Sequence, residues 1–457
     1  MVAALALMSC RRSAPPGPAV VDTPDSQSPA FEAAAGSVSP AAAAAAASGC
    51  SVSPVGGVLV ARGQSAPHAQ AVAAGAGGLL VTWLESLSGT PCRGGDTCIP
   101  IDGHARVFDP TLLSPDAAVG PPPLRLSQGT VVEATSGFAP IALENGGLHA
   151  ASCRASAVSS RLECAFTREA GPPLAETAWT VDTHGSALSI GPGAATGVGG
   201  TALLIVPALG EMVFFASGTP VRREYIAEVG ASGADRNSAA AGVAFIDAPA
   251  IAPAGADQAV AIWRATPQSG GRDGDYIPPS VPGARGAIRA RIAGTDGHAR
   301  GHVVVLSEAG EDVGAPAVAW VGGAVDAVYA HRRAPSEPWH LVLSRWTPGS
   351  APVRTEIATG FAPAVAPAIV PEPGPSGCAI VSWIEGQGHG TVVRAGRLCP
   401  PATTPSGVGQ LSRAEIEAGT AALATDGTRI FTVWQELPGH GAPAELRAAR
   451  LTCPGGP

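Results

Sequence analysis

Uninterrupted apolar runs of about eight residues recur along the chain from about residue 62 to the C-terminus. CAIVSWIE (378–385) returns in altered form as LLVTWLES (79–86), AVAIWRAT (259–266) and IFTVWQEL (430–437). Each run is followed by a loop and then an arginine-bearing segment: VVRAGRL, HARVF, AIRARI or LRAARL. A strand that is apolar at every position is one whose two faces are both covered, whereas the strands of a sandwich would show cleaner alternation. The 59 glycines and 44 prolines supply turns between many short strands, and long amphipathic helices find no place.

Seven units can be laid out, each with an entry strand, a central strand and a polar or arginine-bearing return strand. The first contains HAQAVAAG, LLVTWLES, HARVFD and PLRLSQ; the second APIALENG, LHAASC, RLECAF and AWTVD. The third is read as TALLIVPA, EMVFFASG and VRREYIAEV, with GPGAATG (191–197) before it taken as a turn. The fourth holds APAIAPAG, AVAIWRAT, AIRARIAG and HVVVLSE; the fifth APAVAWVG, VDAVYAHRR and LVLSRW. The sixth is the stretch 363–399, and the seventh GTAALATDG, IFTVWQEL and LRAARLT. The second and third are the least regular, so six or eight units fit nearly as well. The seventh lacks a fourth strand, and VGGVLVA (55–61) is expected to supply it by pairing with LRAARLT. The pattern predicts an all-β ring of seven four-stranded blades over residues 50–457, closed by the N-terminal strand.

Nine cysteines sharpen this picture. Cys378 opens one strand and Cys399 closes the next, so a hairpin places them opposite each other; Cys153 and Cys164 flank a shorter hairpin in the same manner. Cys92 and Cys98 share one loop. That leaves Cys50 and Cys453 at the two ends of the folded part, where a bond would bolt the ring shut. Four disulfides imply an oxidising compartment; eight reduced thiols in a cytosolic protein are the competing reading. Residues 1–10 end in Leu-Met-Ser-Cys, which resembles a bacterial lipobox lacking a positive n-region, so Cys10 is the expected lipidation site. Residues 11–49 are rich in Pro, Ala and Ser and are expected to be a disordered tether.

Other chemistry is mostly excluded. The net charge of −8 without a basic cluster argues against nucleic acid. All 28 basic residues are arginine, which removes the P-loop lysine and any Schiff-base enzyme. No G-x-S-x-G occurs. His298 and His302 have helical metal-ligand spacing but lie around a turn, and Asp273-Gly-Asp275 reads as a solvated loop; no metal and no cofactor are expected. The tryptophans ending the central strands are expected to pack between blades, with the glutamates two residues on (Glu85, Glu385, Glu436) facing solvent.

Over residues 50–453 the repeat resembles the β-propeller superfamily and, more loosely, the repeat-containing exported lipoproteins of GC-rich bacteria. The WD dipeptide and the Asp-box are both absent, so no active site follows from the resemblance. Long loops after the central strands of the first, fourth and fifth units should emerge on one rim, making Arg93, Asp96, Asp102, Arg272, Asp273, Tyr276, Arg332 and Trp339 candidates for ligand contact. The expected function is a non-catalytic, lipid-tethered scaffold at the cell envelope, a monomer that binds a protein or glycan. It would be exported and anchored at the outer membrane, on its periplasmic or surface side. The alternative is an envelope glycan-directed hydrolase or lyase with its site at the propeller axis.

Overall fold

The computed structural model describes residues 49–63, 68–76, 78–86, 101–108, 124–127, 133–135, 139–143, 147–156, 161–168, 179–182, 193–208, 211–216, 224–225, 244–267, 286–296, 299–360, 366–386, 390–402, 404–439 and 442–454. These residues form strands and turns, with no α-helix among them. After β1 (Ser51–Gly63), the first sheet runs in chain order through β2 (His68–Gly75), β3 (Gly78–Ser86), β4 (Ile101–Phe108) and β5 (Leu124–Ser127). In the second, β6 (Glu133–Thr135) and β7 (Ala139–Ala142) both pair with β8 (Leu148–Ser156), followed by β9 (Arg161–Arg168) and β10 (Trp179–Asp182). The third is β11 (Ala194–Val198), β12 (Thr201–Ala208), β13 (Glu211–Ala216) and β14 (Glu224–Tyr225). The fourth is β15 (Ala244–Pro253), β16 (Gln258–Pro267), β17 (Ala287–Gly294) and β18 (Ala299–Val305).

In the fifth sheet β19 (Asp312–Val313) and β20 (Ala317–Val321) share the inner edge of β21 (Ala324–Arg332), with β22 (His340–Trp346) and β23 (Val353–Thr359) beyond it. The sixth is β24 (Ala368–Pro371), β25 (Ala379–Glu385), β26 (Val392–Leu398) and β27 (Ser406–Gln410). The seventh is β28 (Glu417–Thr425), β29 (Ile430–Leu437) and β30 (Ala444–Thr452), and its outer strand is β1, antiparallel to β30 from Ser51 opposite Thr452 to Gly63 opposite Ala444.

The continuous apolar runs are explained by how these sheets pack. Alternate residues of a strand point to opposite faces, and each central strand faces a neighbouring sheet on both sides. In β29, Phe431 and Val433 join Leu79, Val81 and Trp83 of the first sheet, while Ile430 and Trp434 join Ile380 and Val393 of the sixth. The same holds onward: Leu80 meets Leu148, Ile141 and Ala151 meet Leu204, and Leu203 and Ile205 meet Trp263. Val260 and Ile262 meet Val325 and Tyr329, and Val328 and Leu341 meet Val381 and Trp383. Trp83, Trp263, Trp383 and Trp434 are all buried between sheets. Truncating one to alanine would cost about 3–5 kcal/mol.

One exit glutamate overturns the sequence expectation. Glu436 is fully buried rather than facing solvent, because Trp434 Nε1 donates to it at 3.0 Å and the guanidinium groups of Arg413 and Arg447 close on its other oxygen. The third sheet also differs from its sequence reading. TALLIVPA is the central strand β12, and the segment read as a turn supplies the inner strand β11. Its small residues answer to crowding: a Cβ on Gly197 would collide with the Ala142 carbonyl oxygen of the neighbouring sheet.

The cysteines follow the strand register. Cys50 is bonded to Cys453 across 403 residues with a Cα separation of 4.0 Å, and Cys378 to Cys399 across 21 residues. Cys153 is disulfide-bonded and lies directly opposite Cys164 in the β8–β9 register. These bonds indicate an oxidising, extracytoplasmic compartment. Cys10, the tether through residue 48, Cys92 and Cys98 lie outside the described residues.

Candidate functional site

Two cavities compete for attention, and their linings differ. The larger, about 520 Å³, is lined by the inner strand of every sheet: β2, β7, β11, β15, β20, β24 and β28. Its walls are Ala, Val, Pro, Ile, Gly, Leu, Thr and one Trp, with no carboxylate, imidazole or guanidinium among them. A central site of converging Asp, Glu and His is therefore not what this cavity offers.

The smaller, about 370 Å³, opens at the seam between the fourth and fifth sheets and is lined by Glu308, His331, Arg333, Glu337, His340, Val342, Arg354, Thr355 and Glu356. Strand periodicity gathers these groups. Tyr329 and His331 share a face of β21; His340 stands directly opposite His331, with Val342 and Ser344 following on that face of β22. Arg354 and Glu356 of β23 lie opposite Ser344 and Val342. The lower part of this face is apolar core shared with the fourth sheet, through Val325, Ala327 and Tyr329. The upper part is polar. Gly314–Pro316 interrupts the inner edge, and the short β19 returns to pair Val313 with His331, which sets Glu311 beside the imidazole.

Arg354 organises the floor of this cleft. Its Nη1 lies 2.6 Å from Glu308 Oε1, its Nη2 donates to Glu311 Oε2 at 2.8 Å, and its Nε donates to the Tyr329 hydroxyl at 3.1 Å. Tyr329 in turn donates to the Leu306 carbonyl at 3.0 Å. Burial pushes the phenol up to about 12, against the pull of Arg354, so Tyr329 is a neutral strut and not a nucleophile. Burial alone would raise Glu311, but its hydrogen bond to His331 and the charge of Arg354 hold the carboxyl below its ordinary value, so it is ionised. Glu311 Oε1 lies 3.0 Å from His331 Nδ1, which leaves Nε2 as the ring's open nitrogen. The His331 and His340 rings lie 5.6 Å apart. His340 Nδ1 is 2.9 Å from Glu356 Oε1, a contact of proximity without hydrogen-bond alignment, since that nitrogen is buried with no hydrogen-bond partner.

A carboxylate-backed histidine beside further carboxylates can move protons to and from a bound hydroxyl, water or glycosidic oxygen. Among the described residues, no group of three or more His, Cys, Asp or Glu has the arrangement of a metal site.

Of the rim candidates, Arg93, Asp96, Arg272, Asp273 and Tyr276 lie outside the described residues, and Asp102 is placed only by its backbone, opposite Glu85 in β4. Arg332 is buried next to the cleft on the opposite face of β21. It donates to Asp312 Oδ2 and the Pro335 carbonyl, both at 2.9 Å, and stacks 4.7 Å above the half-buried Trp339 ring. The sequence reading passed over Glu308, Glu311, His331, His340, Arg354 and Glu356. The signal was present in the alternation of Tyr-Ala-His (329–331), His-Leu-Val-Leu-Ser (340–344) and Arg-Thr-Glu (354–356), which puts each set on one strand face.

No protein-family model matches the sequence, and no curated protein matches it. Among solved structures, a protein of unknown function from Dyadobacter fermentans is similar at a TM-score of 0.50 and 12% identity, over 89% of this chain and 100% of that one. Trypanosoma rangeli sialidase is similar at 0.45 and 10% identity, over 84% of this chain and 55% of that one, so the chain spans about half the sialidase's length. A subtype N11 neuraminidase-like protein of A/flat-faced bat/Peru is similar at 0.39 and 10% identity, over 70% and 87%. The described residues thus form an all-β fold of seven sheets, similar to that of the Dyadobacter fermentans protein. The expectation of a non-catalytic scaffold is corrected: the fifth sheet holds the ionisable constellation that the scaffold reading took to be missing.

Proposed function

We propose that the chain is a seven-bladed propeller, exported and lipid-anchored at the cell envelope through Cys10 and a tether over residues 11–49, that acts on glycans as a hydrolase. The observation that carries the activity is the convergence of His331, His340, Glu308, Glu337 and Glu356 in one cleft, with the ionised Glu311 behind His331. Seven sheets in a cycle of contacts, with β1 completing the last, support the blade count. The sialidase likeness is one of shape, and no residue role is carried over from it.

In this scheme water attacks the anomeric carbon of a bound glycan. His331 Nε2 accepts the water's proton while Glu311 stabilises the imidazolium, and a second carboxyl group of the cleft, Glu356 or Glu308, protonates the departing glycosidic oxygen. One C–O bond forms, one breaks, and both protons are accounted for.

The test is incubation of the purified chain with a panel of envelope glycans, following reducing ends and product masses. Release of reducing ends by the parent, lost by at least a hundredfold in His331→Ala and in Glu311→Gln, is the expected result. An unsaturated product without added water would identify a lyase. No cleavage of any glycan, or full activity in His331→Ala, would overturn the proposal.

A further inference from the structure

The charge of the cleft discriminates among sugars. Granting the glycan-directed reading, on which this rests, we propose that the site takes an amino sugar, a glycan unit carrying a protonated amine, in preference to neutral or acidic units. Three carboxylates, Glu308, Glu337 and Glu356, line the cleft with two guanidiniums, Arg333 and Arg354. Arg354 is a weak anchor for a ligand's carboxylate, because Glu308 and Glu311 already offset its charge and, with Tyr329, engage three of its five N–H donors. Glu311, buried and ionised directly behind the wall, adds a fourth carboxyl group. With one of Glu308 and Glu356 holding the proton it donates in the proposed reaction, the carboxylates and guanidiniums of the site together carry one net negative charge. Arg333 remains as a cation, and Glu337 stays close to it by accepting its backbone N–H at 3.0 Å.

The open polar atoms have the matching chemistry. The His331 side chain is only 9% exposed, and with Nδ1 taken by Glu311 its Nε2 has no partner among the described residues. Glu308 and Glu356 are each about half exposed and each keeps an oxygen clear of the contacts described. Carboxylate oxygens accept and do not donate, so a ligand that brings several N–H donors and a positive charge complements them. A uronate or sialate brings more of what the cleft already holds in excess.

A unit charge about 6 Å from one net opposite charge, in a solvent-like dielectric, gains about threefold in affinity. Removing that charge should return the gain. The experiment is calorimetric titration of the full chain, at low salt, with three tetrasaccharides: glucosamine, N-acetylglucosamine and galacturonate. Product analysis is run on each mixture. The glucosamine tetramer should bind about threefold tighter than its N-acetylated counterpart, with the gap narrowing as salt is added, and galacturonate should bind weakest. Glu337→Gln, on an exposed side chain, should cost the glucosamine tetramer about threefold and leave the N-acetylated one unchanged.

Equal or tighter binding of galacturonate overturns the charge selection, even if it is cleaved and the hydrolase reading stands. The predicted order of binding without cleavage of any tetramer upholds the selection and removes the hydrolase reading. Absence of binding by all three sinks both.

Discussion

Replacing Cys50 and Cys453 together by serine removes the bond that joins the first described strand to the last. The chain-entropy treatment assigns a cross-link a stabilisation that grows with the logarithm of the loop it closes. For the 403-residue separation of this pair that comes to about 6 kcal/mol, and for the 21 residues between Cys378 and Cys399 to about 3.3 kcal/mol. The hairpin pair is therefore the internal control: same chemistry, and again one buried cysteine joined to a half-buried one at a strand end. For a folded part of about 400 residues, an unfolding entropy of roughly 2.1 cal/mol/K per residue converts the two losses into melting shifts of about 7 °C and about 4 °C. Both double variants are compared with the parent by thermal and urea unfolding without reductant. What the bond guards is the β1–β30 pairing, so hydrogen exchange of the amides from Val58 to Gly63 should quicken most in the Cys50/Cys453 variant. A loss no larger than that of the hairpin pair, or unchanged exchange in β1, would refute the reasoning and leave strand pairing alone as the closure.

Two further outcomes follow from buried carboxylates. Asp326 is fully buried, its Oδ1 has no partner, and Arg345 reaches Oδ2 at 3.1 Å; burial, only partly opposed by Arg345, raises its pKa from 3.8 to about 6. A raised folded-state value means that the fold prefers the protonated acid. The penalty is absent below pH 3.8, grows as pH rises toward 6 and is complete above it, at about 3 kcal/mol. Asp326→Asn should therefore raise the urea midpoint at pH 8 and not at pH 4, and an equal effect at both would contradict this. Glu436→Gln should cost about 3–5 kcal/mol, because Arg413 and Arg447 would be left facing a neutral amide. Trp434 fluorescence should shift with it, since the indole N–H donates to that carboxylate; unchanged stability would mean that the arginines find other partners.

Much of the fold was legible because its signal is repetitive. A run such as Ile-Phe-Thr-Val-Trp, apolar on both faces, admits few environments other than a strand with a sheet on either side, and four copies of it fix a repeat. The leftover cysteines and the missing outer strand pointed to the same closure. The third sheet was misread because its inner strand is Ala-Ala-Thr-Gly-Val, whose residues are chosen for smallness where sheets converge and carry no hydrophobic periodicity. The cleft was missed for a different reason. Its residues come from a connection (Glu308, Glu311), a central strand (His331) and a return hairpin (His340, Arg354, Glu356), and no linear spacing joins them. His340 opens β22 directly opposite His331, a pairing that only the strand register reveals. The buried glutamate Glu436 escaped notice because a glutamate at a strand exit resembles a solvated end until two arginines from elsewhere in the chain are known to close over it.

The placement of the polar cleft follows from the same crowding that shaped the inner strands. Seven inner strands meeting around one cavity leave room only for small side chains, and the Cβ that Gly197 cannot carry shows how tight that approach is. A charged side chain placed there would have to give up water without a partner close enough to replace it, at a cost of several kcal/mol. Toward the return strands the constraint relaxes. The seam between the fourth and fifth sheets opens, the β22–β23 hairpin contributes long side chains, and the broken inner edge at Gly314–Pro316 lets Glu311 reach His331. Arg354, bound to two carboxylates and a phenol, then supplies the charge that allows Glu311 to be buried in its ionised form. If that is the logic of the site, Arg354→Met should raise the Glu311 pKa and loosen the hold on His331 while leaving the seven-sheet framework intact. An unchanged circular-dichroism spectrum together with an altered His331 titration by NMR would bear this out. An unaltered His331 titration would show that Arg354 does not position the dyad.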